Sequence, residues 1–129
     1  HGERLGDVDK IFHALKSQMG EYFNNTLILT LTEFGRTIKQ NGGYGTEHGY
    51  GTAILMAGGL IRKAQVYTEW PGLKESDLFE GRDLKATIDA RSVYCSALAT
   101  CFNLDFDFVR RDVFYGEKLI DLSSTLFKS

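Results

Sequence analysis

The hexapeptide Thr26-Leu27-Ile28-Leu29-Thr30-Leu31 is the key to the architecture. It is short, apolar and rich in β-branched residues, without strict alternation. That pattern predicts a strand covered on both faces, as in a parallel sheet. Upstream, Val8, Ile11, Phe12, Leu15, Met19 and Phe23 recur at helical spacing and predict a helix from about Asp7 to Phe23. Asp7 suits the N-cap, and Asn24-Asn25 suits the stop. Helix, tight turn and buried strand make half of a βαβ unit. A second buried strand is expected at Thr52-Ala53-Ile54-Leu55-Met56-Ala57, ended by Gly58-Gly59. Gln65-Val66-Tyr67 reads as a short edge strand, and Glu69-Trp70-Pro71-Gly72 as turn chemistry.

A second helix is expected from about Asp89 to Phe102, with Ala90, Val93, Tyr94, Ala97, Leu98, Cys101 and Phe102 on its apolar stripe. Asp89 reads as its cap and Arg91 as a solvated or paired side chain. Phe106, Phe108, Val109, Val113, Phe114, Leu119 and Leu122 are expected to cover one sheet edge. His13 lies off the first stripe and reads as a solvated helix residue. A doubly wound sheet usually has more strands than these. The expected fold is therefore α/β, a partial, mostly parallel, doubly wound sheet forming the C-terminal part of a larger domain. The opening at His1 rather than Met agrees with a piece of something longer.

The chain has 129 residues, 43% hydrophobic and 25% charged, within the range of an ordinary globular domain. A net charge of −2 and the lack of any basic run argue against a dedicated nucleic-acid binder. No run of apolar residues is long enough for a transmembrane segment, and no signal peptide opens the chain. Cys95 and Cys101 are six apart in an expected helix, so they point to different faces and are not expected to bond.

The chemistry is expected in the connection between the two strands. It reads Thr32-Glu33-Phe34-Gly35-Arg36-Thr37, then, from Asn41, Asn41-Gly42-Gly43-Tyr44-Gly45-Thr46-Glu47-His48-Gly49-Tyr50-Gly51. So many glycines cost chain entropy to order, which suggests a ligand, metal or neighbouring segment that orders them. Glu33 sits just past the carboxyl end of the first strand, where ligands bind in open parallel sheets. It either faces that crevice or pairs with Arg36. His48 reads as a metal ligand, a general base or an exposed side chain. Glu33 and His48 together form a mixed N/O set suited to zinc, manganese or iron, but two ligands are too few for a catalytic ion. The glycine spacing matches neither a dinucleotide fingerprint nor a P-loop, and there is no Gly-x-Ser-x-Gly elbow.

Seven blocks occur in order: Thr32 to Thr37, Asn41-Gly42-Gly43, Gly45-Thr46-Glu47-His48-Gly49, Gly58-Gly59, Trp70-Pro71-Gly72-Leu73, Arg82-Asp83-Leu84 and Thr87-Ile88-Asp89-Ala90-Arg91. Over about residues 1 to 115 this resembles the C-terminal part of the domain-of-unknown-function family 1501. The resemblance implies the alkaline phosphatase and sulfatase superfamily, a three-layer α/β/α fold and a metal-supported hydrolytic site at the strand ends. It also implies an exported or periplasmic protein. On its residues, Glu33, His48 and His1 would be metal ligands, and Arg36 would bind an anionic oxygen of a small phosphate or sulfate ester. Carboxylate and imidazole ligands need partners that fix their orientation, for which Thr32, Thr37 and Thr46 are candidates. Glu47 stands where the family has Asp, and Tyr50 where it has a further His. The nucleophile and the first acidic ligand would come from outside this chain, so the piece alone is expected to be inactive. Two other readings stand beside this one. The first is a non-catalytic binding or assembly module that has lost the metal, favoured by Glu47 and Tyr50. The second is a fragment that associates with itself through exposed sheet edges.

Overall fold

The computed structural model describes residues 2–32, 35–36, 39, 42–43, 48–49 and 51–128, with only the backbone described at 35, 36, 48 and 49. The chain divides into two compact units. The first is His1–Leu29, Met56–Gln65 and Asp89–Ser129; the second is Thr30–Leu55 and Val66–Ile88. Mixed helix and strand make this an α/β chain in the broad sense.

In the first unit, α1 spans Gly2–Met19. It starts well before the expected cap, because Glu3, Arg4 and Leu5 are good helix formers with no breaker among them. Asp7 is therefore inside the helix, 3.8 Å from Arg4 one turn earlier. Gly20 takes a positive φ of 55° where α1 ends, and the chain tightens into a 3-10 turn over Gly20–Asn25. Thr26 is already extended, so the helical segment stops at the expected Asn pair. Along the stripe, Val8, Phe12, Leu15, Met19 and Phe23 are half-buried and Ile11 is exposed.

The hexapeptide yields a strand of only two residues, β1 (Ile28–Leu29), and the second run yields β4 (Met56–Ala57). They pair antiparallel, Ile28 opposite Ala57 and Leu29 opposite Met56, in contrast to the expected parallel sheet. An apolar run without alternation signals burial and not strand direction. Direction is set by the path after β4. Gly58 passes the Thr26 carbonyl and Gly59 lies against the Asn24 backbone, both too closely for a Cβ. The Gly59 N–H donates to the Phe23 carbonyl at 2.9 Å. The chain leaving β4 thus runs back past the entry to β1. The β1 residues are half-buried, and Leu31 is 76% exposed, so cover on both faces is not found among the described residues. Gln65-Val66-Tyr67 forms no strand and is exposed.

The core of this unit is helical. α2 spans Ala90–Cys101 and α3 Phe106–Asp112, with a short α4 at Ser123–Leu126. Asp89 caps α2, its carboxylate accepting from the Arg91 N–H at 2.9 Å. Cys95, Ala99 and Val109 form a buried cluster, flanked by Leu98, Phe106, Phe114 and Leu119. Residues 106–119 therefore pack on a helix and not on a sheet edge. The small side chains of α2 allow that approach, so Ser92, Cys95, Ser96 and Ala99 are buried off the expected stripe. Cys101 and Phe102, on the stripe, are exposed. Leu122, Leu126 and Phe127 complete the buried set.

The second unit holds a separate antiparallel pair, β2 (Gly35–Arg36) with β3 (His48–Gly49). Its described residues include few buried side chains, Asp83 among them.

Candidate functional site

The second unit carries most of the motif blocks. β2 and β3 close the glycine-laden connection as a hairpin ladder, with Gly35 opposite Gly49 and Arg36 opposite His48. Residues directly opposite in an antiparallel pair share a face of the ladder. One position of this ladder therefore carries an arginine and a histidine, and the next carries glycine on both strands. Two candidate residues from separate motif blocks are thus neighbours in register.

Glu33 and His1, the other two expected ligands, lie outside the described residues, as do Thr37, Thr46, Glu47 and Tyr50. Among the described residues no group of three His, Cys, Asp or Glu is placed to hold a metal ion. The donor chemistry itself fits a borderline divalent ion, since imidazole and carboxylate are both common zinc and manganese ligands.

The blocks around the ladder are held by close backbone approaches. Gly51, two residues after β3, is buried against the Leu84 carbonyl, where any Cβ would overlap it. This joins the end of the glycine-rich stretch to Arg82-Asp83-Leu84. Asp83 is buried, and its carboxylate accepts from Arg82 Nε at 3.0 Å. Its backbone bridges Phe79 across the tight turn between them. Gly72 has a φ of +99° and sits beside the Asp77 carboxylate, which accepts from the Lys74 N–H at 3.3 Å. The turn expected at Glu69-Trp70-Pro71-Gly72 is not formed; the chain bends only after it, at Leu73-Lys74, just before the 3-10 turn Glu75–Asp77. At the other end of the connection, Thr30 and Leu55 exchange bonds: the Leu55 N–H donates to Thr30 Oγ1 at 2.9 Å, and the Thr30 N–H to the Leu55 carbonyl at 3.0 Å.

The last block opens α2 in the first unit. Arg91 is paired, its Nη2 2.7 Å from the Asp89 carboxylate and its Nη1 3.5 Å from Glu117. The hydrogen bonds from Arg91 hold the Asp89 carboxyl below the usual carboxylate range. Both cysteines are free, Cys95 buried and Cys101 exposed. Burial pushes the Cys95 thiol up, which disfavours its thiolate. His13 on α1 lines a cleft of about 300 Å³ with Asp9, Phe12, Lys16, Phe23 and Ala57. A spacing of i, i+3, i+4 and i+7 puts Asp9, Phe12, His13 and Lys16 on one helix face, a signal present in the sequence.

No helix among the described residues is long and apolar enough to cross a membrane. With the ladder and its blocks in place, the chain falls into an α/β class defined by its motifs. It belongs to the family described as "Protein of unknown function (DUF1501)", which matches residues 1–111. No curated protein and no solved structure matches it.

Proposed function

We propose that this chain is part of a metal-dependent hydrolase of phosphate or sulfate esters, of the alkaline phosphatase and sulfatase type. The observation that carries the reading is the register that sets Arg36 opposite His48 at the mouth of the glycine-rich connection. Family membership over residues 1–111 supports it, because the ordered blocks that carry the likeness lie in that span. The three-layer α/β/α arrangement and an exported or periplasmic location belong to the same proposal.

His48, with Glu33 and His1, would hold a divalent ion such as zinc or manganese. Such an ion, when bound, lowers the pKa of a nucleophile and polarises the ester oxygen. Arg36 would receive an anionic ester oxygen through its forked N–H groups, charge-assisted and bidentate. The partner is then a small anionic ester. Bare glycine at the neighbouring ladder position lets another backbone or the ester approach closely.

The test is metal analysis and ester hydrolysis on the full-length protein that carries this chain, purified without a histidine tag. Substitution of Glu33→Ala with His48→Ala is expected to remove the bound ion and the hydrolysis of p-nitrophenyl phosphate or sulfate. Arg36→Ala is expected to keep the ion and raise KM. A protein that binds no divalent ion, and whose double variant changes nothing, is instead a non-catalytic binding or assembly module.

A further inference from the structure

In the first unit, α2 receives the segment after α3 as an extended strap. Ser92 Oγ accepts from the Ile120 N–H at 3.0 Å, and Ser96 Oγ from the Leu122 N–H at 2.9 Å. Two hydroxyls four residues apart on a helix are separated by about 6 Å along its axis. Alternate amides of an extended chain are separated by about 6.6 Å. The helix therefore reads every second N–H of the strap. Further on, the Arg62 N–H donates to the Leu126 carbonyl, the Lys128 N–H to the Leu60 carbonyl and Gln65 Nε2 to the Thr125 carbonyl. Leu122, Leu126 and Phe127 are buried along this path. The groove formed by α2 and residues 60–65 thus has a defined occupant, residues 119–128.

A second copy of the chain carries the same segment. Every contact just named can form between two copies, and only the connection at residues 113–118 must change. That connection holds opposed features, and Phe114, packed against the cluster of α2 and α3, and Glu117, 3.5 Å from Arg91, must also give way. Tyr115 sits at a φ of +56° while 93% exposed, so strain there is not offset by burial. Against this, Arg110 Nη1 donates to the Gly116 carbonyl at 3.0 Å and the Glu117 carbonyl at 3.2 Å, and the Gly116 N–H returns a bond to the Arg110 carbonyl. Asp107 holds that guanidinium in place, with Oδ1 2.6 Å from Nη2. Strained short connections favour exchange of the element beyond them. A charged latch opposes it.

We propose that residues 113–118 are a latched hinge, and that this chain dimerises by exchanging residues 119–128 between two copies, with Arg110 setting the extent. The partner is a second copy of the chain, and the surface is the Ser92/Ser96 face of α2 with residues 60–65.

The test uses the full chain with Cys101→Ser, Gln65→Cys and Thr125→Cys. The samples are refolded at a series of concentrations, diluted and joined with a short bismaleimide. An unexchanged strap gives a covalent monomer, and an exchanged strap gives a covalent dimer. The dimer fraction is expected to rise with refolding concentration. Arg110→Ala is expected to raise it by about tenfold, the scale of losing a charge-assisted hydrogen bond. Tyr115→Gly is expected to lower it, because glycine relieves the strain without touching the groove. Joined protein that stays monomeric at every concentration, with and without Arg110→Ala, overturns the proposal. So does a dimer seen by light scattering that is joined only within each chain. If Arg110→Ala does not fold, the concentration series and Tyr115→Gly decide the matter.

Discussion

Ser96 has no exposed surface, yet its hydroxyl is satisfied twice. It donates to the Ser92 carbonyl at 2.7 Å and accepts from the Leu122 N–H at 2.9 Å. Replacing it with Ala leaves the Leu122 amide buried without a partner, which costs about 1–3 kcal/mol. Urea unfolding is expected to show Ser96→Ala destabilised by that amount. Ser124→Ala, at an exposed position on α4, is the matched control and should change little. Equal effects from the two would show that the buried hydroxyl adds nothing. Little of this was legible in the sequence. Serine in a helix reads as neutral, and its burial becomes visible only when residues 119–122 are laid against it.

The elements differ in how far the sequence specifies them. α2 was readable to within a residue at each end because its signals are local: a periodic stripe and a capping Asp one position before it. The cap also has a pH signature. Arg91 lowers the Asp89 pKa in the folded chain. A depressed carboxyl contributes stability that is present above its unfolded pKa and lost as the pH falls through the folded value. Asp89→Asn keeps a capping oxygen but removes the charge. Thermal stability between about pH 5 and pH 2 is expected to fall less steeply for Asp89→Asn than for the parent, with the two closest at the acid end. Equal slopes would mean that the ion pair adds nothing beyond the cap. The strands were less readable. β1 and β4 are each two residues long inside six-residue apolar runs. Pairing direction depends on a distant segment, which no local pattern encodes.

Across the whole chain, the family match ends at residue 111, but the core does not. Leu122, Leu126 and Phe127 lie beyond it and are among the most buried side chains, Phe127 being 1% exposed. Ile61 bridges Phe127 within the first unit, so this end of the chain ties residues 60–62 to α2. Phe127→Ala is expected to cost about 3–5 kcal/mol, the range for emptying a buried aromatic site. Chemical unfolding followed by circular dichroism checks it, and a loss below about 1 kcal/mol would show that the site collapses freely.

Local chemistry was enough to announce α2 with its Asp89 cap, the unbonded cysteines and the family blocks around Arg36 and His48. Each rests on residues close together in the chain, where spacing and backbone preference act directly. The antiparallel direction of β1 and β4, the packing of residues 106–119 on a helix and the register that sets Arg36 opposite His48 came from long-range contacts. Those depend on which distant segments fit against each other, as the close passage of Gly59 over Asn24 and the hold of Ser92 and Ser96 on the strap show.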